Sequence, residues 1–523
     1  MADGQWQMVN GGTMAMNIMQ CNASDASNSA AINGSGENSN LHANTNADTD
    51  SRDSQELSSR SYWAAQAWVE GAVRSNVRFT VADGAYAQIT TDEQPHDGDI
   101  MLDGLVMPGA ADCHSHTFHR ALRGLGREGA TFWSWRDTMY RVAANLTPEL
   151  YYEYARRVYA EMLMSGYTTV AEFHYVHHRP DGTPYDEPNA MGLALARAAH
   201  DAGIRLTLLD TCYLHADVQG NDLGERQRRF GDGDVESWVS RVDALDRAIQ
   251  SDETLRESVR VGAAVHSVRA CSQREAQVVA QWSRGEIGDG RNVHNIYSAH
   301  GASVRPLHVH LSEQTAENEA CREATGMSPV ELLDKAGVWG PNAVAVHATH
   351  LSSSDIATLG AAHARAAICP TTEADLADGI PAAAAMRDAG IDLCIGSDEN
   401  VSIDPFEEIR RLDGNQRLVS GQRDTFAPAE LVAMMTEQGQ AASGWSESGR
   451  ISVGALADFV VIDTAAPHLA GVRAESILLV ATAADVRDVA VGGRFVVRNH
   501  QSNAMTADDV SDGIHELTER LRT

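Results

Sequence analysis

The alternation of apolar and polar positions changes character several times along the chain. Residues 1–58 are rich in Asn, Ser, Ala, Gly and Asp and show little periodicity, which predicts a disordered acidic tail. Across 59–107 the period is two. Val77–Val81 and Ala85–Ile89 alternate on either side of Asp83-Gly84, predicting a β-hairpin, and Asp103-Gly104 reads as a further turn. Across 108–442, short apolar runs alternate with helical segments. The runs are Thr168–His174, Arg205–Leu209, Val259–His266, Leu307–Leu311, Ala343–His347, Ala366–Cys369 and Leu393–Gly396. Thr147-Pro148 opens one helix as N-cap and first-turn proline, Gly166 and Gly203 close two, and Ser328-Pro329-Val330-Glu331 is a capping box. Repeated strand–helix units, close to eight in number, predict an α/β fold, a (β/α)8 TIM-like barrel. An open doubly wound sheet is the alternative, but no Gly-x-Gly-x-x-Gly follows a strand. Gly285–Ser303 reads as a loop insertion, with His294 and His300 on the surface.

From 443 to 500 the β pattern returns, with a strand over Gly454–Asp463 and a hairpin around Gly492-Gly493. Strands from both chain ends (59–107 and 443–500) are expected to form one small β-sandwich domain, and residues 501–523 a terminal helix.

Chemistry gathers at the strand ends. Met107-Pro108-Gly109 leads into a strand ending His114-Ser115-His116, and residues i and i+2 of a strand face the same side, so both imidazoles can aim at one point. His174 and Tyr175, His266 and Arg269, His310 and Glu313, His347, and Asp398 close the later strands. In βα barrels chemistry sits at those ends. His114, His116, His310 and Asp398 form the expected metal set. Nitrogen and carboxylate donors suit one zinc ion, with iron as runner-up. Asp398 can accept a proton from a metal-activated water, His347 can hydrogen-bond that water, and Glu313 can carry the proton to a leaving amine.

Composition narrows the reading. The chain has 523 residues, 43% hydrophobic, and a net charge of −31, which argues against nucleic acid and anionic membranes as partners. Seven scattered cysteines, no Cys-x-x-Cys, no membrane-length apolar run and no basic residue before Arg52 predict a cytoplasmic protein with reduced thiols. Lys335 is the only lysine and falls within a predicted helix, so no lysine can bridge two metals at a strand end.

Several motifs are more specific: Phe132-Trp133-Ser134-Trp135-Arg136 with Met139-Tyr140, Glu172-Phe173-His174-Tyr175, His266-Ser267-Val268-Arg269, His308-Val309-His310-Leu311-Ser312-Glu313, Val346-His347-Ala348-Thr349-His350, Pro370-Thr371-Thr372-Glu373 and Gly396-Ser397-Asp398. With them the chain resembles the amidohydrolase superfamily over about residues 62 to 500, and within it the formimidoylglutamate deiminase branch. The resemblance implies zinc on His114, His116, His310 and Asp398, and Glu313 and His347 in proton transfer. It further implies substrate contacts from Arg136, Tyr175, His266 and Arg269, a small dicarboxylate substrate, N-formimino-L-glutamate, and a homodimer. A deaminase acting on a nucleobase-like or related amidine substrate is the alternative. Two positions depart from the branch. His119 replaces a glutamine that would touch substrate, and Glu399-Asn400 replace Ser-His after Asp398.

Overall fold

The apolar runs of the central region become eight short strands, all but two of their residues buried, as expected of parallel strands covered on both faces. A computed structural model describes residues 59–125, 132–288 and 304–523. The expected acidic tail (1–58) and most of the 285–303 insertion, with His294 and His300, lie outside the described residues.

Four strands precede the barrel: β1 (Arg60–Val69), β2 (Ala72–Ala82), β3 (Ala85–Thr90) and β4 (Ile100–Pro108). The barrel strands are β5 (Ala110–Ser115), β6 (Tyr167–His174), β7 (Arg205–Cys212), β8 (Val259–Val265), β9 (Leu307–Leu311), β10 (Ala343–His347), β11 (Arg365–Ile368) and β12 (Asp392–Ile395). They lie in sequential order, parallel throughout. The ring closes between β12 and β5 through a parallel bridge, Ser115 to Asp398, where His116 N donates to Asp398 O (2.9 Å) and Asp398 N to His114 O (2.8 Å). The closing seam therefore runs through three of the expected metal ligands. At the opposite end the short helix Glu437–Ala442 fills the barrel mouth: Gly439 O faces Cys113 Sγ at 3.4 Å, and Ala442 O bonds His308 Nε2 at 3.1 Å.

The chain ends meet in a second sheet. Strands β13 (Phe459–Ile462), β14 (Val486–Val491), β15 (Arg494–Arg498) and β16 (Gln501–Ser502) join the first four in the order 16-15-14-13-4-1-2-3. β3 and β13 are separated by three strands in that order. Even so, Tyr86 N of β3 donates to Ala455 O (2.9 Å) and Gly454 N to Tyr86 O (2.8 Å), just ahead of β13. The expected sandwich is thus a single sheet rolled over on itself. Tyr62, Phe79, Phe459 and Phe495 pack inside the roll.

Two local expectations need correction. Asp103-Gly104 is not a turn. It lies within β4, where pairing with β1 jumps from Ala64–Leu102 to Gln66–Leu105, a β-bulge. Gly104 has φ +150°, and a Cβ there would sit 2.1 Å from Ile462 O, so only glycine lets β13 approach. The strand expected over Gly454–Asp463 is limited to Phe459–Ile462, because residues 454–457 turn to meet β3.

One buried ion pair joins the sheet to the barrel. Arg205, at the start of β7, donates Nε and Nη2 to Asp458 (2.7 and 3.0 Å), which also accepts from Ser448 Oγ and Gly492 N. Asp458→Ala is expected to destabilise the protein by about 3–5 kcal/mol, because it strands a buried guanidinium. A urea midpoint unchanged from the parent would contradict that role.

Candidate metal centre and active site

Alternation along β5 and β6 aims side chains at one point. Phe173 and Tyr175 face the barrel axis with His114 and His116, and the Phe173 ring stacks on His310 at 4.2 Å. His174 faces the opposite way, toward the helix Ala190–Ala202 and Tyr151. Its strand-end position is therefore not part of the centre, for the same period-two reason that puts Tyr175 there.

His310 Nε2 lies 3.1 Å from His114 Nε2, and Asp398 Oδ1 lies 3.3 Å from His114 Nε2 and 3.4 Å from His116 Nε2. A tetrahedral ion held at about 2.0–2.1 Å separates its donors by about 3.4 Å, so this set already has the spacing of a metal shell. His116 Nδ1 is bonded to Phe173 O at 2.9 Å, which leaves Nε2 to face the centre. Burial lowers the basicity of all three imidazoles, His116 to about 3 and His114 and His310 well below the usual range. Neutral imidazole is the form that binds metal. These residues fit a single divalent ion. Lys335 ends the helix Pro329–Lys335 and is exposed, in agreement with the absence of a lysine bridge.

His347, the last residue of β10, sits 3.7 Å from Asp398 Oδ2 through Nε2 and 3.7 Å from Glu373 Oε1 through Nδ1. Burial disfavours its charge, but Glu373, Glu313 and Asp398 together raise it to about 10. Below the seam, buried Asp112 accepts from Ser397 N (3.0 Å) and Ser397 Oγ, tying β5 to the loop that carries Asp398. Asn400 completes the tie, donating Nδ2 toward Ser115 Oγ, His116 O and Asp398 O. Ser312, His347, Ala348, Asp398 and Asn400 all have φ between +47° and +66°, so uncommon backbone clusters where β9, β10 and β12 end.

Above the donors a cavity of about 60 Å³ is lined by His116, His119, Arg136, Tyr175, His266, Arg269, His310, Glu313, His347 and Asp398, with His114 beneath it. Every expected site residue is thus at this one place. Arg136 is half-buried on α1 (Phe132–Asn145), with Nε donating to Tyr140 OH (2.6 Å) and Nη2 to Tyr213 OH (3.3 Å). Arg269 Nη2 is 3.4 Å from Glu313 Oε2. His119 Nε2 bonds Tyr175 OH at 2.8 Å, so the substituted histidine keeps a polar group at the wall.

Some of the machinery had no role assigned from the sequence, although Tyr140 and Glu373 stand in the motifs that carry the resemblance. Tyr140 stands one helical turn from Arg136, a spacing that could have revealed it. Glu373 lies within the short helix Pro370–Asp375 after β11, and a strand-end search extended by five residues would have met it. Tyr213 follows β7 directly. Glu399 was noted only as a departure.

Residues 105–496 match the family described as "Amidohydrolase family". The chain belongs to the amidohydrolase family. It is accordingly a hydrolase acting on carbon–nitrogen bonds. This amidohydrolase is 36% identical over 445 residues to a formimidoylglutamate deiminase of Pseudomonas aeruginosa, covering 82% of this chain and 92% of that one. It is 26% identical over 430 residues to a 5'-deoxyadenosine deaminase of Methanothermobacter thermautotrophicus, covering 80% and 88%. The crystal structure of an amidohydrolase from Brucella melitensis superposes with a TM-score of 0.79 at 32% identity, covering 89% of this chain and all of that one. Among the described residues, no helix is long and apolar enough to cross a membrane, and the six described cysteines are free and buried.

Proposed function

We propose that this amidohydrolase is a metal-dependent deiminase that converts N-formimino-L-glutamate and water to N-formyl-L-glutamate and ammonia, a step of histidine degradation. The observation that carries this reading is one cavity holding two guanidinium groups, Arg136 and Arg269, above a converged donor set. The substrate has two carboxylates and one hydrolysable carbon–nitrogen double bond. Two planar guanidinium forks match two carboxylates as bidentate pairs. The 36% identical relative with that name supports the same choice.

His114, His116, His310 and Asp398 would hold the ion, zinc by the chemistry of the donor set and iron as second choice. When bound, it would supply Lewis acidity that makes water nucleophilic near neutral pH. The chain's own groups do the rest. Arg136 and Arg269 grip the carboxylates, and Tyr140 and Tyr213 hold the Arg136 fork in position. Tyr175 and His266 form the wall beside the formimino carbon. Asp398 takes a proton from the attacking water. His347, oriented by Glu373, hydrogen-bonds the same water. Glu313 delivers a proton to the departing nitrogen, which leaves as ammonia.

A second reading, deamination of a nucleobase-like ring, draws on the aromatic wall of Trp135, Tyr175, Tyr213 and Phe230 and on the 26% identical 5'-deoxyadenosine deaminase. The two readings separate in one assay, with metal content measured on the same sample. Ammonia with stoichiometric N-formylglutamate is the expected result. Formamide with glutamate would mean that the other carbon–nitrogen bond is cut. A metal-loaded enzyme that releases ammonia only from 5'-deoxyadenosine would transfer the assignment to the second reading.

A further inference from the structure

One acid of the site is used neither by the metal donors nor by the arginines. Glu399 lines the cavity directly after Asp398 and is 4% exposed. Its Oε1 is buried and has no hydrogen-bond partner among the described residues. Two other acids, Asp398 and Glu313, line the same cavity. No described arginine or histidine forms an ion pair with it. A buried carboxyl oxygen without a partner costs free energy even when the group is neutral. Here the backbone nevertheless fixes it in place.

The fixing is extensive. Glu399 stands between two residues in the left-handed region, Asp398 (φ +47°) and Asn400 (φ +56°). Glu399 N donates to Thr372 Oγ1 at 3.2 Å, and Asn400 is anchored to Ser115, His116 and Asp398. The carboxyl is therefore held at the wall by a loop that cannot swing without disturbing the barrel seam. Arg136 faces Tyr140 and Tyr213, and Arg269 faces Glu313. With both arginines available for carboxylates, the Glu399 oxygen is left for another part of the substrate.

We propose that Glu399 is a specificity-determining residue that hydrogen-bonds the cationic nitrogen end of the substrate, so that the site selects a protonated amidine over a neutral group of the same shape. This rests on the proposed deiminase reading and deepens it: the arginines recognise the carboxylates, and Glu399 recognises the amidinium. An amidinium N–H donated to a buried carboxylate is a charge-assisted bond, among the stronger ones available to a protein.

The test uses the metal-loaded full chain and two non-hydrolysed probes that differ only at the nitrogen end. N-amidino-L-glutamate carries a cationic guanidino group, and N-carbamoyl-L-glutamate a neutral ureido group. Both are titrated by calorimetry into the parent and into Glu399→Gln and Glu399→Ser. The parent is expected to bind the guanidino probe more tightly. Glu399→Gln should weaken that probe by about 10- to 100-fold, the range of a hydrogen bond to a charged group, and leave the ureido probe within about 2-fold. Metal content should be unchanged. Equal weakening of both probes, or weakening that follows loss of metal, would make Glu399 a structural support and overturn the proposal, as would a preference that survives both substitutions. The functional reading fails separately. A parent that releases no ammonia from N-formimino-L-glutamate, yet loses its guanidino preference on Glu399→Gln, would keep the contact and discard the substrate.

Discussion

Asp398→Asn is expected to lower kcat by about 10³- to 10⁴-fold while the chain stays folded, the upper range for loss of a positioned general base. Asparagine keeps the size of the side chain and is among the residues that tolerate the left-handed backbone found at position 398. The seam bonds through His114 O, His116 N and the backbone of 398 do not involve the carboxylate, so closure of the barrel survives. Two things are lost. One carboxylate oxygen, either Oδ1 facing His114 and His116 or Oδ2 facing His347, becomes an NH2 that cannot accept a proton. The single negative charge among three neutral imidazoles also disappears, which weakens the hold on a divalent ion. Metal analysis beside single-turnover kinetics separates the two. A metal-loaded variant that still turns over within 10-fold of the parent would remove Asp398 from proton transfer.

Arg136→Met should raise KM for N-formimino-L-glutamate so that kcat/KM falls by about 10²- to 10³-fold, with metal content and thermal midpoint unchanged, because a desolvated carboxylate is left without its partner. Methionine fills much of the volume of the arginine stem. Tyr140 and Tyr213 lose the guanidinium that they face, but Tyr213 OH still accepts from Gln227 Nε2 at 2.9 Å. Arg136→Lys is a sharper control. It restores the charge but not the fork, and it should recover only part of the loss. Unchanged KM in both variants would leave the carboxylates unrecognised at this position and would favour the nucleobase-like alternative.

The division between legible and illegible residues follows the range of the interactions. The barrel strands could be read because a strand buried on both faces is apolar along its whole length, and β9 and β10 fall on the residues the pattern predicts. His114 and His116 could be paired from spacing alone, and His310, His347 and Asp398 from their strand-end positions. Where the pattern failed, a distant partner decided. Asp103-Gly104 has the composition of a turn, but β13 lies against it and makes it a bulge. His174 has the same strand-end credentials as His116, yet the strand's phase turns it toward the helices.

The sequence by itself determined the number and order of the βα units, the strand ends on which ligands stand, and the two arginines and the acids available for chemistry. These are local properties, set by period, capping and residue type. Only the tertiary structure decided that β12 closes on β5, which brings Asp398 to 3.3 Å from His114 across 284 positions of chain. It also decided that Glu373 backs His347, and that Glu399 is held at the cavity wall with its Oε1 unpartnered among the described residues. Contacts of that kind depend on ring closure and on the hand of each strand's last residue. Neither leaves a periodic trace in the order of the amino acids.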